Sequence, residues 1–162
     1  RINHELTIPH LGDAKWNVEL GTFLNKENLR VIEWKYFRGS DFFIFSNPLK
    51  SFQMMGPTLT SEFSYLRGNF IHNFNGNIFG KIPLINRLNL QLSAGVSTLL
   101  IPGENLNHLE TFIGISRPFQ LWGDLVKFGI YGCSSVNSLT GSTFELKIGA
   151  SSFNPFTKKW DY

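Results

Sequence analysis

Between Leu88 and Leu100 the chain reads "LNLQLSAGVSTLL", with Leu88, Leu90, Leu92, Ala94, Val96 and Leu100 on one parity and Asn89, Gln91, Ser93, Gly95 and Ser97 on the other. Alternation of period two over this length requires an extended chain with one apolar and one polar face. The stretch predicts a strand, and leaves open which way its apolar face looks. A soluble barrel turns that face inward, and a membrane barrel turns it to lipid.

The same alternation recurs over Ile2–Ile8, Trp16–Leu24, Arg30–Arg38, Thr58–Phe74, Leu109–Ile115, Val126–Tyr131 and Thr143–Phe153, which with the first stretch predicts eight strands. Turn-forming runs such as "PHLGDAK", "PGENLN" and "VNSLTGS" separate them. Parity is mixed only in Thr58–Phe74, where Phe63 and Tyr65 oppose Leu66, Phe70 and Phe74. The segment 39–57, "GSDFFIFSNPLKSFQMMGP", is too long for a tight hairpin and too apolar for a solvated linker, so it is expected to be a folded outer loop. Residues 154–162 are expected to form a periplasmic tail. The length of 162 residues suits one domain spanning 1–162. Strands linked in succession make an all-β, antiparallel up-and-down meander, which removes its exposed edges by closing into a barrel or joining a larger one.

The polar face decides little here, since a soluble barrel would point its charges to bulk water, and the apolar face is more telling. Charged residues make up 17% of the chain, below the quarter usual in globular proteins, and Glu5, Glu19, Glu33, Lys35, Glu110, Lys127, Glu145 and Lys147 all fall on the polar parity. Trp16, Trp34, Tyr36 and Phe128 fall on the apolar parity near strand ends, as interfacial aromatic girdles do. The expected fold is therefore a transmembrane β-barrel in which Leu92, Ile113, Phe128 and Ile148 face lipid and Lys147 faces the lumen. The even strand count and the aromatic ending "KKWDY" agree with bacterial outer-membrane insertion. A soluble lipocalin-like barrel binding a hydrophobic ligand is the alternative, although "GDAKW" spaces Gly12 and Trp16 more widely than the Gly-x-Trp element of lipocalins. With a net charge of +3 and no basic stripe, no nucleic-acid partner is expected.

Motifs for chemistry are weak. "GNIFGKI" has Gly76 and Gly80 one residue too close for a phosphate loop and Ile82 where a hydroxyl must hold magnesium, so the glycines are read as turn formers. His72, His108 and Glu110 supply too few ligands on one strand face for a metal and are read as part of a lumenal hydrogen-bond network. Cys133 shares the parity of Tyr131 and reads as a small lumenal residue without a base beside it. No "GxSxG" elbow is present. The chain is expected to be non-enzymatic, with no catalytic, cofactor-binding or metal-binding residue and no cofactor.

The stretches "FRGSDFFIFSNPLKSFQ", "HNFNGNIFGKIPLINRLNLQLSAG", "LETFIGISRPFQ" and "FELKIGASSFNPFTKKWDY" resemble the C-terminal barrel of a Bacteroidetes outer-membrane family of unknown function. The most specific element is His72, Phe74, Asn75 and Gly76 followed by Lys81, Ile82, Pro83 and Leu84, with Asn73 standing where members often carry a second histidine. The resemblance implies an N-terminal carboxypeptidase-regulatory-like β-sandwich upstream and makes this chain the last part of a larger barrel. The role expected of such a barrel is that of a scaffold or conduit in an envelope assembly or transport complex. The partners expected are outer-membrane lipids, lipopolysaccharide and other outer-membrane or periplasmic proteins.

Overall fold

The computed structural model describes residues 1–23, 30, 33–56, 59–83, 85–121, 123–154 and 159–161. Readings that fall on Leu24, the turn after it, Ile32, Pro57, Thr58, Leu84, residues 155–158 and Tyr162 lie outside them. Strands in chain order are β1 (Ile2–Ile8), β2 (Gly12–Gly21), β3 (Lys35–Phe37), β4 (Leu59–Ser61), β5 (Tyr65–Asn73), β6 (Gln91–Ile101), β7 (Leu106–Leu121), β8 (Asp124–Asn137), β9 (Gly141–Asn154) and β10 (Lys159–Asp161). The described residues contain no α-helix, only short 3-10 turns such as Phe79–Lys81 and Ile85–Leu88.

One antiparallel sheet of eight strands runs in the order β1-β2-β5-β6-β7-β8-β9-β10, while β3 and β4 form a separate pair. The fold is all-β, as the alternation requires, and the wall has the expected number of strands but not the expected membership. Among the described residues, Arg30–Arg38 contributes only the three-residue β3, which leaves the wall and pairs with β4, and Thr58–Phe74 contains both β4 and β5. The eighth place is taken by β10, since Lys159–Asp161 folds back on Ser152–Asn154 where a free tail was expected. Because β1 and β2 are antiparallel, Ile2 lies toward the end of the sheet that carries the β2–β5 loop, not opposite that loop as the strand count implied. Among the described residues β1 and β10 are not paired with each other, so the sheet is not closed.

Two boundaries moved for local reasons. The strand expected from Leu88 begins at Gln91, because Asn89 adopts a left-handed φ of 49° after the 3-10 turn. Strand β7 continues through "RPFQL" to the turn at Gly123, and Pro118 is accommodated there because β7 has passed the last β6 partner at Ser116.

Burial alternates residue by residue in β7 from Leu106 to Arg117 and through most of β8. Val18, Leu20, Leu66, Phe70, Val96, Leu109, Ile113, Ile115, Phe128, Ile130, Val136, Phe144, Leu146 and Ile148 are exposed on one face. Buried on the other are Asn17, Arg67, Asn69, Ser93, Ser97, His108, Glu110, Ser116, Lys127, Ser135, Lys147 and Ser151. This reverses the arrangement of a water-soluble sheet. The inner face is not polar throughout, since Leu99, Ile101, Leu106 and Tyr65 form an apolar cluster with Phe37, Phe52 and Met55 near the loop. Glu5 of β1 and Trp160 of β10, at opposite edges of the sheet, line the same polar cavity of about 500 Å³, so the sheet curls around its inner face.

Candidate functional site

The inner face is covered by the β2–β5 connection, chiefly residues 38–56. Its local shape starts from "SNP": Asn47 Oδ1 accepts the Leu49 amide at 3.0 Å, and the Asn47 carbonyl accepts the Lys50 and Ser51 amides at 3.0 and 2.9 Å. An Asx cap with Pro48 in the next position makes one tight turn. Gln53 ties the two arms of the loop together, accepting the Ser46 amide on Oε1 at 3.0 Å and donating Nε2 to the Ser46 and Ser51 carbonyls at 3.0 and 3.2 Å. At the tip, the Ser40 hydroxyl donates to the Ile44 carbonyl.

Polar anchors then hold this loop to the wall. Glu110, only 1% exposed, accepts the Gln53 amide at 2.8 and 2.9 Å and the Met54 amide at 2.9 Å. His108 Nε2 lies 3.3 Å from the same carboxylate, and His108 Nδ1 lies 3.3 Å from Asn137 Nδ2. Charge-assisted bonds of this kind offset the desolvation of a buried carboxylate. Lys147 donates to the Asp41 carbonyl at 2.6 Å and pairs with Glu145 at 3.2 Å. Asn17 and Arg67 both donate to the Leu49 carbonyl, at 2.8 and 3.3 Å. Beside β3, Lys35 pairs with Glu19 at 2.5 Å and the Tyr65 hydroxyl donates to the same oxygen at 2.7 Å.

An aromatic joint completes the seat. Phe45 stacks on Tyr131 with centroids 3.7 Å apart and planes 3° from parallel. Tyr131 can lie flat because its own strand and both neighbours present glycine beneath it: a Cβ would stand 2.0 Å from its ring at Gly114 of β7, 2.8 Å at Gly129 of β8 and 2.7 Å at Gly149 of β9. Gly114→Ala is therefore expected to cost about 1–3 kcal/mol by overpacking. Urea midpoints should move accordingly, and adding Tyr131→Ala should remove most of the incremental cost of the methyl introduced at position 114. An unchanged incremental cost would place the strain elsewhere.

The structure separates the residues that sequence reasoning grouped. His108 and Glu110 meet in the expected network, but His72 lies on the other face and bonds the Leu11 carbonyl at 3.1 Å. Cys133 is fully buried on the inner face beside Phe45, Phe112 and Tyr131. Gly76 turns the chain with φ 76°, and its carbonyl accepts the Gly80 amide at 2.7 Å. Of the loop phenylalanines, which the apolar character of the loop leads one to expect inward or against a partner, Phe45 packs inward, whereas Phe42 and Phe43 are 63% and 69% exposed. Leu92 is half-buried, while Ile113, Phe128 and Ile148 are exposed on the apolar face and Lys147 is buried on the polar one, as their parity requires. Sequence reasoning missed Gln53 and the glycine bed. The glycines were recoverable from strand parity, but nothing local marks Gln53.

Residues 1–115 match the sequence model described as "Family of unknown function (DUF5686) C-terminal domain". No curated protein matches the chain, and no solved structure does.

Proposed function

From the premise that the chain belongs to the DUF5686 C-terminal domain family, we propose that it is part of the wall of a bacterial outer-membrane β-barrel. The loop of residues 38–56 lies inside that barrel as a plug. In this reading the protein is not an enzyme. It serves as scaffold or conduit in an envelope assembly or transport complex, surrounded by outer-membrane lipids and lipopolysaccharide and working with other envelope proteins. The further family reading, a Bacteroidetes barrel that continues upstream and carries a regulatory-like sandwich, belongs to the same proposal.

The observation that carries it is the inversion of the sheet, with Ile113, Ile130, Leu146 and Ile148 at 58–66% exposure and Lys147, Glu110 and His108 at 1%. Water penalises such an exposed apolar face, whereas hydrocarbon requires one. A lipocalin-like carrier needs an apolar interior for its ligand. Here the inner face carries buried charged and hydrogen-bonded groups beside its two apolar clusters, and both clusters are already filled by the chain's own loop.

Refolding with phospholipid vesicles followed by density flotation tests the reading. The protein is expected to float with the vesicles and to resist extraction by carbonate. A monomer that stays folded in detergent-free buffer and remains at the bottom of the gradient overturns it.

A further inference from the structure

We propose that the outer face carries a binding groove for one phospholipid, with the acyl chains on β6–β9 and the phosphate on Arg117. The inference rests on the membrane reading above and names a lipid contact within it.

Leu90, Leu92, Ile113, Ile115, Phe119, Phe128, Ile130 and Ile148 surround a cavity of about 790 Å³ on that face, with the backbone of Gly114 and Gly129 contributing to the lining. The volume lies within the roughly 300–1,000 Å³ of small-molecule sites. Its chemistry is one-sided. Apart from Arg117 the walls are hydrocarbon and aromatic ring, with only the Ser116 position adding a polar group.

Arg117 is out of keeping with its surroundings. Strand parity puts it on the outer face with Ile113, Ile115 and Phe119, and its cross-strand partner is Phe128. Among the described residues it makes no salt bridge, and its guanidinium lies 5.0 Å from the Phe119 ring centroid. It stands near the end of the sheet formed by the β7–β8 turn and the β9–β10 fold-back, opposite the end at which β2 and β5 enter and leave their connecting loop. A cation facing hydrocarbon is costly unless it reaches a headgroup. At the height of an aromatic girdle a guanidinium binds phosphate in a bidentate way and is only weakly hydrated, which suits an interfacial site. The groove and the arginine together present what a diacyl phosphate ester presents in reverse: long apolar chains ending in an anion.

The test uses protein refolded into detergent micelles doped with phosphatidylglycerol, with bound lipid counted by native mass spectrometry. Wild type is expected to retain one phospholipid. Arg117→Gln should lower retention about five-fold, the effect of one basic residue at an anionic surface. Arg117→Lys should recover part of it, and Ile130→Asn should weaken retention with Arg117 intact. Equal retention by wild type and Arg117→Gln, or no retained lipid in wild type, overturns the groove. Flotation of the same proteins refolded with phospholipid vesicles separates the two readings: protein that floats but shows no Arg117 dependence rejects the lipid site alone, and protein that does not float rejects the membrane reading itself.

Discussion

Replacing Ile130 with Arg is expected to destabilise the protein in lipid vesicles by about 2–4 kcal/mol, the cost of placing a guanidinium near the middle of the bilayer. Ile130 is the seventh of the fourteen residues of β8, is 64% exposed, and pairs with Ile115 on one side and Ile148 on the other. Few contacts within the protein are lost, so almost the whole effect comes from the surroundings. In water the same substitution on an exposed strand position stays within about 0.5 kcal/mol. Equilibrium unfolding by urea in vesicles measures the difference, with Ser134→Arg, toward the loop end of the same face, expected to cost less. A value near zero at Ile130 means that this face meets water, and with it the membrane reading fails.

Glu110→Ala is expected to cost about 3–5 kcal/mol, since it strips the partner from two buried amides and a histidine. The loss should be concentrated in the plug. Gln53 and Met54 lose their acceptor, while the wall around residue 110 keeps its backbone ladder to Ser97 and Ser135. Limited proteolysis checks this, with cleavage between residues 41 and 54 expected to accelerate before any cut within β6–β9. Glu110→Gln keeps an acceptor but loses the charge, and its effect should be the smaller of the two. Uniform cleavage throughout the chain would mean that the loop and wall unfold as one unit and that Glu110 does not act as a local latch.

The arrangement of anchors explains why the loop is closed against the wall and not left in solvent. Phe45, Phe52 and Met55 bury apolar surface that a free loop would expose. The polar anchors add direction: Lys147, Asn17 and Arg67 donate to loop carbonyls, and Glu110 accepts loop amides. An inner face lined in this way favours one loop conformation because its donors and acceptors are matched to particular backbone groups of the loop.

Much of the wall was legible from residue order alone, because a strand obeys a rule that acts between neighbours. Alternation of side chains across a pleated backbone assigns Ile113, Phe128, Ile148 and Lys147 to faces without reference to anything distant. The same rule explains where reading failed. In Arg30–Arg38 it found an alternating pattern, but a pattern does not say whether a strand has a place in the wall, and β3 pairs with β4 instead. The "KKWDY" ending lacks alternation, yet its Trp160 packs on Phe153 and returns the chain to β9. Sequence by itself determined the class of fold, the parity of the long strands other than β5 and the membership of Glu110 and His108 in one polar row. Only the tertiary structure decided that Gln53 and Met54, more than fifty positions away, supply the amides that bind Glu110, and that three glycines on separate strands make a bed for Tyr131. Such pairings depend on strand order and sheet curl, and no local periodicity encodes them.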